Sequence, residues 1–156
     1  MKSVQQIIDE LGLQPHPEGG FYKEVYRSDS NVHSTTVAAQ RSALTCIYFL
    51  LIKGQYSRFH QVKHDEVWNF YLGDPLKLID VNGNTAQEII LGNYDHQIIS
   101  QYIIKADHWQ AAEPIGKYAL VGCSVAPGFD FNDFSFLNEA QQVAMQQSHP
   151  QLERFF

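Results

Sequence analysis

Gly54, five residues, His60, five residues, Glu66, six residues and Gly73 form the most chemically suggestive run in this 156-residue chain. Two turn glycines bracket a histidine and a carboxylate, which describes a strand, a turn over Lys63–Asp65 and a returning strand. On that reading His60 and Glu66 project into one cavity. A histidine and a carboxylate that face each other do one of two jobs. They ligate a first-row divalent metal, or the carboxylate orients and charge-stabilises an imidazole that acts as general base. Trp68 and Phe70 share strand parity with Glu66, so all three face one side and would wall a polar centre with aromatic rings, unless they are plain core. Tyr48 or Tyr71 would supply a phenol as the acid. Arg41, just before an apolar strand, is either a solvated strand end or, turned inward, a planar fork suited to a phosphate or carboxylate.

The elements that must position these residues are mostly strands. Ser3 caps a first helix with Gln6 at the capping-box position, Val4, Ile7, Ile8 and Leu11 line one face, and Gly12 ends it. Phe21 to Arg27 alternates and is bounded by the polar stretch Ser28–Ser34. Ala43 to Ile52 is continuously apolar, as a strand covered on both faces or at a subunit contact would be. Tyr56–Val62, Glu66–Leu72, Leu76–Val81, Ala86–Leu91, Gln101–Lys105, Trp109–Ala112 and Tyr118–Val125 bring the total to about nine strands. Asn82-Gly83-Asn84 marks a tight hairpin. A last helix is expected over Asn138–Gln147. Many short strands at even spacing imply an all-β sandwich or barrel, and periodicity leaves the choice among jelly roll, immunoglobulin-like sandwich and lipocalin open.

Composition narrows the function classes. The net charge is −6 and the 11 Lys and Arg are scattered, so the basic face that nucleic acid requires is missing. No stretch of about 20 apolar residues exists for a membrane span, and the start carries no signal-peptide run, so a cytoplasmic protein is expected. Two isolated cysteines, Cys46 and Cys123, read as buried hydrophobes in a reducing compartment. No repeat or linker divides the chain, so one domain over residues 1–156 is expected.

The Gly54-His60-Glu66-Gly73 run resembles the first motif of the cupin superfamily, departing from it at Val62, where a second histidine is usual. The second cupin motif looks degraded to Lys105–Gln110, with Gln110 where the fourth ligand histidine would fall. His16-Pro17-Glu18-Gly19-Gly20-Phe21-Tyr22, Ser57–His60 with Asp65–Tyr71, and Ala126–Phe131 resemble the signatures of the fifth cupin family. That resemblance implies a double-stranded β-helix (a cupin jelly-roll barrel) with short N- and C-terminal helices. It implies a homodimer and a likeness to metal-free sugar epimerases, and it places Glu18 at a cavity mouth.

The expected function is therefore a small molecule bound inside the barrel, with a cofactor-free carbohydrate or sugar-nucleotide isomerase or epimerase built on His60 and Glu66 as the first reading. Trp68, Phe70, Gln110, Tyr48, Glu18 and Arg41 are the candidate ligand-binding residues. The alternatives are a divalent-metal oxygenase or isomerase, with His60, Glu66 and Gln110 as ligands, and a binder without turnover. Phe129, Phe131 and Phe134 are expected to cap the barrel or a dimer interface rather than meet a ligand.

Overall fold

The computed structural model describes residues 3–156. Helix α1 (Val4–Leu11) starts where the sequence places it: Ser3 Oγ accepts from Gln6 N at 3.2 Å, and the Gln6 side chain accepts from Ser3 N at 2.8 Å. Gly12 closes the helix in the left-handed region at φ 63°. Its apolar stripe buries Ile7 against Leu13, Leu50, Tyr118 and Leu120, and a fully buried side chain of that size is worth about 1.5–3 kcal/mol.

Two facing sheets follow. One has six strands in the order β1 (Gln14–Pro15), β2 (Phe21–Arg27), β5 (Thr45–Ile52), β12 (Tyr118–Ala126), β7 (Asp65–Gly73) and β10 (Gln101–Ile104). The other has five: β13 (Phe134–Phe136), β6 (Ser57–Val62), β11 (Trp109–Pro114), β8 (Leu76–Asn82) and β9 (Thr85–Leu91). Apart from the β1–β2 and β8–β9 pairs, strands adjacent in a sheet are separated in the chain, as in the double-stranded β-helix that the resemblance implied. A separate hairpin of β3 (Asn31–Ser34) and β4 (Ala39–Ser42) occupies the stretch expected to be irregular. Only Ser34 and Ser42 of its eight residues are buried, so no hydrophobic alternation announced it.

Strand β5 is apolar throughout because both of its faces are covered. Ile47, Phe49 and Leu51 point between the sheets, while Tyr48, Leu50 and Ile52 lie under α1. The outer face of the five-stranded sheet is covered by α2 (Glu139–Ser148) and the 3-10 turns of Pro150–Phe155, where Phe59, Ile79 and Val81 pack on Met145, Leu152 and Phe155. Between the sheets, one end is filled by Trp68, Leu51, Leu76, Leu78, Leu91 and Ile104. The other end is open.

Candidate functional site

The open end holds a cavity of about 480 Å³ walled by both sheets. His60 and Val62 reach it from β6, Glu66 from β7, Phe49 from β5, Cys123 from β12 and Tyr22 from β2. His16 and Glu18 enter from the turn between β1 and β2. That turn requires glycine. Gly19 sits at φ 112°, and a Cβ there would lie 2.2 Å from the Tyr56 carbonyl oxygen. Glu18, next to Gly19, is buried in the cavity wall.

His60 is held at both nitrogens. Nδ1 lies 2.8 Å from the Arg58 carbonyl oxygen, which can only accept, so Nδ1 carries a proton. Nε2 lies 3.1 Å from Glu18 Oε2. At that spacing the imidazole and the carboxyl stand as a close pair, near enough for a proton to pass between them. Ser57 donates from Oγ to the other carboxyl oxygen, Glu18 Oε1, at 2.8 Å. Burial pushes the Glu18 carboxyl up to about 6 and pushes His60 below its ordinary value. His16 is the acceptor for the Glu18 backbone N–H, at 3.2 Å through Nδ1. That nitrogen therefore carries no proton, and its 3.6 Å approach to Glu18 Oε2 is not an ion pair. Burial lowers the His16 pKa as well, which keeps the ring neutral.

Glu66 belongs to a second chain of bonds. Gln110 Nε2 donates to Glu66 Oε2 at 2.5 Å, and Trp68 Nε1 donates to Gln110 Oε1 at 2.9 Å. Burial pushes Glu66 up to about 7, and the nearby Glu18 carboxyl adds to the rise. The Cys123 thiol is pushed well above its usual range by burial and by Glu66, so it stays a protonated donor and not a nucleophile. The cavity thus joins a close histidine–carboxyl pair to a carboxyl whose proton affinity burial raises toward neutral pH.

Several expected residues stand elsewhere. Trp68 is buried behind Gln110 and reaches the site only through it. Phe70 packs against the filled end. Tyr48 points outward and meets Tyr71 edge to face at 5.9 Å, so neither phenol enters the cavity; Tyr22 does. Arg41 spends its fork on Asp133, with Nε to Oδ2 and a terminal nitrogen to Oδ1 at 2.7 Å each, and does not line the cavity. Phe129, Phe131 and Phe134, expected away from a ligand, form part of the wall, and Phe134 stacks on His60 at 5.2 Å. His16, Tyr22 and Ser57 fall within the family signatures with no site role expected of them, and Cys123 is expected only as a buried hydrophobe; the first two and Cys123 line the cavity, and Ser57 bonds to Glu18. Tyr22 was legible from parity along Phe21–Arg27, while His16 was hidden in a segment that reads as a plain turn.

A divalent metal of the kind found in many cupins needs donors that this site does not assemble. Val62 has no lone pair. The Trp68 indole N–H can only donate, so it fixes the amide oxygen of Gln110 toward itself and turns the NH2 group toward Glu66. His60 Nε2 is taken by Glu18. Among the described residues no group of three or more His, Cys, Asp or Glu is placed to hold a metal ion.

A double-stranded β-helix with an enclosed polar cavity at its open end is a small-molecule-binding cupin. The chain belongs to the family described as Cupin superfamily (DUF985), whose sequence profile matches residues 5–137. It is 26% identical to the uncharacterized protein YML079W of Saccharomyces cerevisiae, over 90% of this chain and 78% of that protein. A hypothetical protein from Leishmania major superposes with a TM-score of 0.86 at 30% identity, covering 97% of this chain and 95% of its own. Protein SO0799 from Shewanella oneidensis superposes at 0.85, also at 30% identity, over 99% and 94%. Among the described residues no helix is long and apolar enough to cross a membrane.

Proposed function

We propose that the protein is a cofactor-free isomerase or epimerase that moves a proton next to a carbonyl group in a small polyhydroxy compound. The observation that carries this reading is the close His60–Glu18 pair, 3.1 Å apart, standing in one cavity with the raised carboxyl of Glu66. The pair takes up the proton as the substrate C–H bond breaks. The electron pair of that bond passes into an enolate, whose oxygen receives the Glu66 proton. Ser57 and the Arg58 carbonyl hold the pair in place throughout. Delivery of the proton from the pair to the neighbouring carbon completes isomerisation, delivery to the same carbon on the opposite face completes epimerisation, and in either case a hydroxyl proton of the enol returns to Glu66 as the carbonyl re-forms. General acid–base catalysis of this kind works best when the groups titrate near the working pH.

Deuterium wash-in from heavy water tests the proposal, using a panel of free sugars, sugar acids and sugar nucleotides. Exchange at the carbon beside the carbonyl, lost in Glu18→Gln and His60→Gln, supports it. A compound that binds tightly in the cavity and never exchanges would reject turnover and leave a binder.

We also propose a symmetric homodimer in a reducing compartment. Tyr71, Leu72 and Ile103, on β7 and the adjoining edge strand β10, are 52, 47 and 41% exposed. Apolar groups gathered beside an open sheet edge suit a self-complementary face of a second copy. Light scattering that returns the mass of one chain would reject the dimer. The free thiols of Cys46 and Cys123 support the compartment.

A further inference from the structure

The walls of the cavity bear on the ligand's charge. Its lining holds four carboxyl groups, Glu18, Glu24, Glu66 and Asp130, and one permanent cation, Arg27. That cation is already matched. Arg27 donates from Nε and a terminal nitrogen to the two carboxylate oxygens of Glu24 at 2.9 and 2.8 Å, and to the Phe129 carbonyl oxygen at 3.1 Å. The Asp130 carboxylate feels the charges of Arg27 and Arg41 but forms no side-chain hydrogen bond with either, and accepts the backbone N–H of Asn132. Neutral His16 and His60 add no positive charge, because burial holds both below their ordinary values. The cavity is therefore net negative at neutral pH.

Aromatic faces stand beside this charge. Phe129, Phe131 and Phe134 contact one another edge to face, at 4.9 Å between Phe129 and Phe131 and about 6 Å for the other two pairs. Phe131 is 51% exposed although it lines the cavity, so a ligand would cover apolar surface that the protein alone leaves in water. Aromatic rings around a carboxylate are the surroundings in which an ammonium group is held most strongly. A phosphate in the same place would meet no unmatched cation, and would have to displace Glu24 from Arg27 without removing its charge.

We infer that the cavity takes a ligand carrying a cationic nitrogen, an amine or quaternary ammonium group seated among Phe129, Phe131 and Phe134 against Asp130, and rejects phosphorylated ligands. This rests on the cavity being the ligand site, and not on the proton-transfer chemistry. An aminated polyhydroxy compound satisfies both readings, and a sugar nucleotide does not.

The test measures binding to the full-length protein by calorimetry and thermal shift, with three sets of probes. Choline is compared with its uncharged isostere 3,3-dimethylbutanol, and glucosamine with glucose and with glucose 6-phosphate. Choline and glucosamine should bind at least about tenfold tighter than the uncharged partners, and the phosphate should not bind. Asp130→Asn keeps the turn's acceptor and removes the charge, so it should weaken the cations about tenfold and leave the uncharged probes unchanged. Glu24→Gln frees Arg27 and should admit glucose 6-phosphate, a gain that a misfolded variant would not produce. His60→Gln should keep the preference for cations even where deuterium exchange is lost, which separates this inference from the catalytic one. Equal or tighter binding of the uncharged or phosphorylated probe, or no binding of either cation, would overturn it.

Discussion

Trp68 Nε1 donates to Gln110 Oε1 at 2.9 Å, and that bond decides which end of the carboxamide meets Glu66. The relay ends at a carboxyl oxygen, with Gln110 Nε2 donating at 2.5 Å. All three side chains are buried. Gln110→Leu, of similar volume, leaves an indole N–H without an acceptor and a carboxyl without its donor. A loss of about 2–4 kcal/mol in urea unfolding is expected, from about 1–3 kcal/mol for each buried group left unsatisfied. A loss below about 0.5 kcal/mol would mean that water replaces the amide.

Glu66 gives the stability a pH signature. Its carboxyl is raised from an ordinary 4.5 to about 7 in the fold, with burial the main cause. The folded chain therefore holds the proton when the unfolded chain has lost it, and ionising Glu66 costs stability that grows as pH rises through this window. Glu66→Gln removes that cost. Each tenfold change in proton affinity between the folded and unfolded chain is worth roughly 1.4 kcal/mol. The variant should therefore gain on the parent by about 2–3 kcal/mol between about pH 5 and pH 8, with part of the full effect shared with Glu18. His60 acts in the opposite direction, since burial lowers its pKa and its share of stability is lost as pH falls below 6.5. Because the Glu66 charge itself raises the His60 pKa, the size of the difference between parent and variant is read above pH 6.5, where His60 contributes least. A flat difference across the range would show that Glu66 titrates normally.

Much of the fold was legible because local and global signals agreed. The Ser3 and Gln6 capping box, the Gly12 stop and the Asn82-Gly83 hairpin all stand where the residues put them. The hairpin β3–β4 was not legible, because a two-stranded arm with polar residues on both faces has no hydrophobic period to read. The site was half legible. Both His60 and Glu66 reach the cavity, but the carboxyl that stands 3.1 Å from His60 Nε2 is Glu18, far back in the chain. The pairing of β2 with β5, the Arg58 N–H bond to the Glu18 carbonyl oxygen and the Ser57 bond to its carboxyl bring that residue in. Tyr48 was misplaced for a related reason. A strand apolar on both faces carries no polar residue to mark its interior, and Tyr48 lies on the face under α1.

Gly19 offers a test of how Glu18 is placed. Gly19→Ala meets both a positive φ and a Cβ 2.2 Å from the Tyr56 carbonyl oxygen, whereas Gly54, at φ 86°, has nothing within 4 Å of its added carbon. Gly54→Ala should cost about 1 kcal/mol of backbone strain. Gly19→Ala should cost about 3 kcal/mol or more, because the turn must also move away from Tyr56. Equal costs in chemical unfolding would mean that strain alone matters and the contact relaxes freely.

Arg41 should matter to the cavity although it does not line it. Its bidentate bond holds Asp133, buried in the 3-10 turn Phe131–Asp133. That turn and β13 carry Phe131 and Phe134 into the wall. On the same side Ser34 Oγ and His64 Nε2 lie 2.7 Å apart, tying the end of β3 to the turn between β6 and β7. Arg41→Ala leaves the buried Asp133 carboxylate with His64 Nδ1, 3.8 Å away, as its nearest nitrogen of potential positive charge. The turn should then loosen together with the hairpin, since each loses its fastening to the other. Hydrogen exchange should speed up in residues 31–42 and 130–136 while strands β5, β7 and β12 stay protected. Arg41→Lys should fall between the two, because an ammonium group restores the charge but not the paired geometry. Faster exchange spread evenly over both sheets would instead make Arg41 a determinant of global stability, with no particular hold on the aromatic wall.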